Sequence, residues 1–335
     1  MRMILFERGK RTIPERESLH PAKLYTHPQR WGCLLIILFA GSFAASCARR
    51  TDPAPKPQQP PPFEFLGTWG DRGEGPGNLY KPVAFAVDAL GKVYFADAGA
   101  GFVHKFESNG TPLLSFEDSR LLHAAGIAVD RGGAIYIADA ERGNILIFFP
   151  DGTFLRAIRI APQPHLSGPL GISVDDKGNL YVPDPGGSRV MKFDGRGRLA
   201  KSWKVPQNAP SADERPSDIA TAQDGSVFVA YAKTGRIEKY SSEGLWITSW
   251  NETGKGAGDS RAITGFAVAG QLVFTAGATP PRIHIWTLDG QNKLNDDLGG
   301  RLDGVAAPQI AVTSREELVV FDPAAPRVLR FRMHL

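Results

Sequence analysis

A pattern of about 45 residues recurs from residue 82 to the C-terminus of this 335-residue chain, and no other feature limits the fold as much. The first three copies read PVAFAVDALGKVYFADAGAGFVHKF from Pro82, AAGIAVDRGGAIYIADAERGNILIF from Ala124 and PLGISVDDKGNLYVPDPGGSRVMKF from Pro169. Three more begin at Pro216, Ile263 and Ala307. Equivalent positions Asp88, Asp130, Asp175, Ala222, Ala269 and Thr313 stand 42, 45, 47, 47 and 44 residues apart. Self-similarity at this period means that each unit is one supersecondary element, unable to bury its own faces without neighbours.

The unit is built from strands. Copy two holds Gly126 to Val129, Ala134 to Ala138, Asn144 to Phe149 and, after Asp151-Gly152, Thr153 to Ile158. These runs are rich in β-branched and aromatic residues and show no helical period. Asp130-Arg131-Gly132-Gly133 separates the first two and supplies the positive φ of a tight hairpin. Four antiparallel strands per period predict an all-β, six-bladed β-propeller. The sixth copy reaches Leu335 after its third strand, and Phe65-Leu66-Gly67-Thr68-Trp69 stands unassigned before copy one. Its hydroxyl–aromatic ending matches the fourth strands Leu114-Ser115-Phe116, Lys201-Ser202-Trp203 and Thr248-Ser249-Trp250. Residues 63–69 are therefore expected to complete the last blade, closing the ring and removing exposed sheet edges.

The repeat, [GAS]-[IF]-[AS]-V-D-x-x-G-x-[LIV]-Y-x-[AP]-D followed by [RN]-[VI]-x-x-[FY], is similar to the NHL repeat family over residues 63–335. Copies one to three keep the motif. Copy four has Ala222 and Tyr231 in place of the two aspartates, copy five has Ala269 and Gly277, and copy six keeps only Asp322. The Gly-rich lead-ins Gly73-Glu74-Gly75-Pro76-Gly77 and Gly254-Lys255-Gly256-Ala257-Gly258 each precede a strand, so they read as inter-blade loops rather than phosphate loops.

Residues 1–46 read as an export signal with a long basic leader. The apolar segment Trp31 to Ala40 follows Arg30, is short for a bilayer span and ends in small residues. Ala44-Ala45-Ser46-Cys47 resembles a bacterial lipobox, with alanine where leucine is commoner, and implies acylation of Cys47. An uncleaved membrane anchor is the alternative. Residues 47–62 form a tether: six prolines within residues 51–62 favour extended geometry, about 3.1 Å per residue. Ala48 after the cysteine implies the outer membrane of a Gram-negative envelope. Residues 1–46 hold seven of the 39 Lys+Arg and three of the 35 Asp+Glu, so the remainder carries 32 of each and is formally neutral. A nucleic-acid-binding domain would be basic.

In a propeller, residues leading into each innermost strand surround the central channel. Here Lys81, His123 and Arg215 occupy such positions, and His165 lies three residues before the next. Over one mouth they would form a cationic patch for a carboxylate, phosphate or sugar-acid ligand; scattered loop charges are the simpler arrangement. His104 and His284 fall in third strands and His334 at the end, so no metal site and no cofactor are expected. Asp97, Asp139, Asp184 and Asp322 recur after second strands, with Arg189 and Arg327 five residues beyond two of them. They are expected to cap backbone donors and brace the turn. Trp69, Trp203 and Trp250 are expected to pack between blades. The chain thus reads as an envelope lipoprotein whose propeller 63–335 binds a protein, peptide or glycan without catalysis. The alternative is a lyase or lactonase-like enzyme of the NHL kind, acting through His123 with Lys81 and Arg215.

Overall fold

Alternating apolar positions along short strands send every second side chain to one sheet face, and this period organises the whole molecule. The computed structural model describes residues 2–5, 60–70, 72–73, 76–98, 101–160, 171–184, 186–205, 215–251 and 262–335. The described residues belong to one compact unit. Cys47, the apolar segment 31–40, tether residues 47–59 and His165 lie outside the described residues.

Six antiparallel sheets follow one another. Blade 1 comprises Pro82–Val87, Val93–Asp97, Phe102–Phe106 and Pro112–Glu117; blade 2 comprises Ala124–Val129, Ile135–Asp139, Asn144–Phe148 and Phe154–Arg159. Blade 3 runs through Ser173–Val174, Leu180–Asp184, Arg189–Phe193 and Leu199–Lys204, and blade 4 through Asp218–Thr221, Val227–Tyr231, Arg236–Tyr240 and Trp246–Asn251. Blade 5 has Ile263–Ala269, Leu272–Ala278, Pro281–Thr287 and Asn292–Asp296. Blade 6 takes Gln309–Val312, Glu317–Asp322 and Arg327–Met333 from the C-terminus and its outer strand, Phe63–Trp69, from the N-terminal side. Phe63 pairs with Met333 and Trp69 with Val328, so the predicted closure is present, with a bulge between Phe65 and Gly67. One pairing was not foreseen: Arg2–Leu5 adds a fifth strand to blade 1, Arg2 opposite Glu117 and Leu5 opposite Leu114. The sequence reading placed those residues in the leader. Among the described residues no helix is long and apolar enough to cross a membrane.

Buried side chains fall into six clusters among the described residues, one at each seam between blades. In blade 2, Ile135 and Ile137 pack toward blade 1, while Tyr136 and Ala138 pack toward blade 3. A one-residue slip would exchange the seams, which fixes the register. At the outer edge, fourth-strand side chains cover a turn glycine of the next blade. Trp69 lies over Gly110, Phe116 over Gly152, Ile158 over Gly197, Trp203 over Gly244 and Trp250 over Gly290. The tryptophans thus pack between blades as expected.

The recurrent aspartates hold turns. Asp175 Oδ1 accepts the Lys177 and Asn179 N–H groups, and its Oδ2 accepts the Tyr181 hydroxyl at 3.1 Å. Asp88 with Tyr94 and Asp130 with Tyr136 repeat the arrangement. Burial and the neighbouring Asp130 push the Tyr136 hydroxyl up to about 12. Where copies four and five lose the aspartate, the tyrosine goes too, leaving Ala222 with Phe228 and Ala269 with Phe274. Removing both partners of a buried hydrogen bond costs little, whereas removing one strands the other. After the second strands, Asp97 accepts Tyr80 and Lys81 N–H, Asp139 accepts Leu122 N–H, and Asp184 and Asp322 hold Arg189 and Arg327. Blade 4 substitutes a different latch for the missing aspartate. Tyr231 donates to buried Glu238 at 2.6 Å, which also receives Tyr240 at 2.5 Å and faces Arg236 at 3.3 Å.

Candidate functional site

The six innermost strands enclose a central channel of about 410 Å³. Its wall combines apolar side chains with strand backbone, and small residues stand where adjacent inner strands come close together. A Cβ on Gly265 would lie 2.9 Å from Gln309 Cα, and one on Gly171 would lie 2.9 Å from Asp218 Cα. The third position of each copy sits at this approach, which accounts for its [GAS] preference: Ala84, Gly126, Gly171 and Gly265 obey it, while Asp218 and Gln309 do not.

Among the described residues that line the channel, Asp218 is the one charged residue. Its Oδ1 accepts the Ile219 N–H at 2.8 Å and occupies the space that a side chain on Gly171 would fill. No other hydrogen bond and no ion pair reaches its carboxylate among the described residues. Burial without a countercharge pushes the carboxyl up to about 7, the single backbone hydrogen bond offsetting only part of the cost. The nearby hydroxyls are engaged. Ser217 Oγ donates to Ala230 O and accepts from Ala232 N, Thr264 Oγ1 lies 2.8 Å from Pro308 O, and Ser173 Oγ lies 2.9 Å from Thr221 Oγ1. The wall therefore offers one carboxylate and the Gln309 amide to an incoming group, against a background of short side chains.

Of the residues singled out in the sequence, Lys81, His123 and Arg215 are exposed, and none lines the channel. The His123 side chain is 69% exposed and its Nδ1 pairs with Glu141 Oε2. Lys81 is held by its backbone N–H, which donates to Asp97 Oδ1 at 2.9 Å. No hydrogen bond or ion pair among the described residues joins the three to one another. His104 and His284 lie in third strands within blade seams, the former 2.8 Å from Ser115 Oγ and the latter stacked on Trp286. Burial lowers both imidazoles to about 4. Among the described residues no group of three or more His, Cys, Asp and Glu side chains is placed to hold a metal ion. Sequence reasoning passed over Asp218. The signal available was a single acid at a motif position held by small residues in four of the six copies.

No protein-family model and no curated protein sequence matches the chain. Solved structures do. A streptogramin B lyase superposes with a TM-score of 0.59 at 17% identity, covering 82% of this chain and 88% of that one. A catalytically inactive histidine-to-alanine variant of virginiamycin B lyase from Staphylococcus aureus, solved with quinupristin, gives 0.59 at 15% identity over 80% and 85%. A protein of unknown function from Bacteroides caccae gives 0.52 at 15% over 69% and 85%. At these identities the likeness concerns architecture alone: the chain is a six-bladed β-propeller, similar in fold to these lyases.

Proposed function

We propose that this chain is a lipid-anchored envelope protein whose propeller binds a ligand at its central channel without converting it. Residues 1–46 direct export, Cys47 is acylated, residues 47–62 tether the disc, and NHL-type blades 63–335 present the channel mouth to a protein, peptide or glycan. The observation that carries the binding reading is the composition of the channel wall. General acid–base and nucleophilic catalysis need at least two groups aligned on the reacting atoms. Here one carboxylate stands without a partner base or nucleophile, and the neighbouring hydroxyls are committed to the backbone or to each other. The full chain expressed in a bacterial host should incorporate a palmitate probe, and Cys47→Ser should abolish incorporation; unchanged labelling removes the anchor from the proposal.

A second reading is favoured by the lyases among the structural neighbours and by the pair that His123, on the loop leading into blade 2, forms with Glu141, just after that blade's second strand. A histidine oriented by a carboxylate is one component of a general base. Incubation of the purified full chain with quinupristin and a panel of lactones separates the readings. Turnover that disappears in His123→Ala would overturn the non-catalytic proposal.

A further inference from the structure

We propose that the central channel takes an organic cation, a primary ammonium or guanidinium group on a slender aliphatic stem, with Asp218 as its counterion. This rests on the reading of the channel as a ligand site and names the ligand's chemistry. Three features converge. First, among the described residues Asp218 is the sole charge lining the wall, with no Lys, Arg or His beside it. Asp218 is half-buried on the channel wall, and a partly desolvated carboxylate without a partner is costly; either a proton or a ligand cation relieves the cost. Second, its seat is kept clear by the absence of a side chain at Gly171, since a methyl there would overlap Asp218 Oδ1. Third, the Ser217 hydroxyl beside it is engaged in both directions, donating to Ala230 O and accepting from Ala232 N–H, while the Gln309 amide oxygen offers a cation a further acceptor on the wall. The short apolar side chains around the ring, Ala84, Ala128 and Ala220 among them, leave room for methylene groups.

The proton competes with the ligand. The elements packed on the innermost strand of blade 4 bring no rival charge. Gly171 to Val174 and Ile263–Ala269 hold no titratable residue. Tyr231 is bonded to Glu238, Tyr181 to Asp175, and Asp184 to Arg189. With the carboxyl at about 7, roughly a tenth is ionised at pH 6 and nine-tenths at pH 8. Apparent affinity for a cation should therefore rise about tenfold over that interval.

Isothermal titration of the full chain with n-hexylammonium, hexylguanidinium, hexanol and hexanoate at pH 6 and pH 8 tests the assignment. The expected result is saturable binding of the two cations, about tenfold tighter at pH 8 and at least tenfold weaker in Asp218→Asn. Gly171→Ala, which displaces the carboxylate while keeping its charge, should weaken cation binding as well and serves if the asparagine variant misfolds. Cation affinity that is equal in wild type and Asp218→Asn refutes the counterion role. Saturable binding of hexanol or hexanoate alone leaves the channel as a ligand site and refutes the cation. Absence of binding by all four probes refutes both readings.

Discussion

Replacing Gly244 with alanine probes the contact that locks blade 3 onto blade 4. Gly244 has φ of 74°, and a Cβ there would stand 2.5 Å from Trp203 Cδ2 and 2.6 Å from Cε3. Two costs add: about 1–2 kcal/mol for a side chain in left-handed backbone, and about 1–3 kcal/mol for overpacking against a ring that has little room to retreat. Trp203 is wedged between Tyr181 of its own blade, at 6.5 Å between centroids, and Tyr240 of the next, at 5.9 Å. The total expected for Gly244→Ala is about 2–5 kcal/mol. Gly178 has φ of 76° with nothing within 4 Å of its would-be Cβ, so Gly178→Ala isolates the backbone term at about 1–2 kcal/mol. In a Trp203→Ala background, itself costing about 3–5 kcal/mol, the overpacking vanishes and Gly244→Ala should fall to the Gly178→Ala value. Urea unfolding followed by far-UV circular dichroism gives all four stabilities without relying on tryptophan emission. Equal costs for Gly244→Ala with and without Trp203, or a cost no larger than that of Gly178→Ala, would show that the indole does not press on this turn.

Two further expectations concern buried polar groups. Asp175→Ala should cost about 2–3 kcal/mol, since it frees two turn N–H groups and strands the buried Tyr181 hydroxyl. Adding Tyr181→Phe should recover about 1 kcal/mol, reproducing the Ala222–Phe228 combination of blade 4; strictly additive losses in urea melts contradict this. His284 is 2% exposed and both of its ring nitrogens lack partners, while Leu146 and Leu329 fill the equivalent register. Burial, with Arg282 adding to it, lowers its imidazole from 6.5 to about 4, so the unfolded chain binds the extra proton between those values. Stability from this group is present above pH 6.5 and is lost as pH falls toward 4, by up to about 3 kcal/mol. His284→Leu should be neutral or stabilising at pH 7 and should flatten the stability profile from pH 6.5 to 4; an unchanged slope argues against the shift.

Much of the architecture was legible because its causes are local. Asp-x-x-Gly turns, two-residue alternation and the hydroxyl–aromatic endings act within a few residues, so blade number and the closing strand Phe63–Trp69 could be read directly. The turn role of Asp97, Asp139, Asp184 and Asp322 was equally local, since each bonds donors within about twenty residues. Drift in blade 4 read as loss, whereas the structure replaces the latch with Glu238 between Tyr231 and Tyr240. That exchange runs across two strands and has no fixed sequence spacing in the other copies. The pairing of Arg2–Leu5 with blade 1 was likewise hidden, because more than a hundred residues separate the partners.

The sequence by itself determined a closed ring of six four-stranded blades, for the repeat dictates strands, turns and the need for neighbours. It also nominated Lys81, His123 and Arg215 by their positions along the chain, and the fold leaves these as separate surface groups. Only the tertiary structure decided what faces the axis. Six third-position residues, spread from Ala84 to Gln309, meet there because the ring closes. A lone acid opposite Gly171 acquires its unpaired character from that convergence. Local pattern fixes each blade, whereas the field and space at the centre belong to all six together.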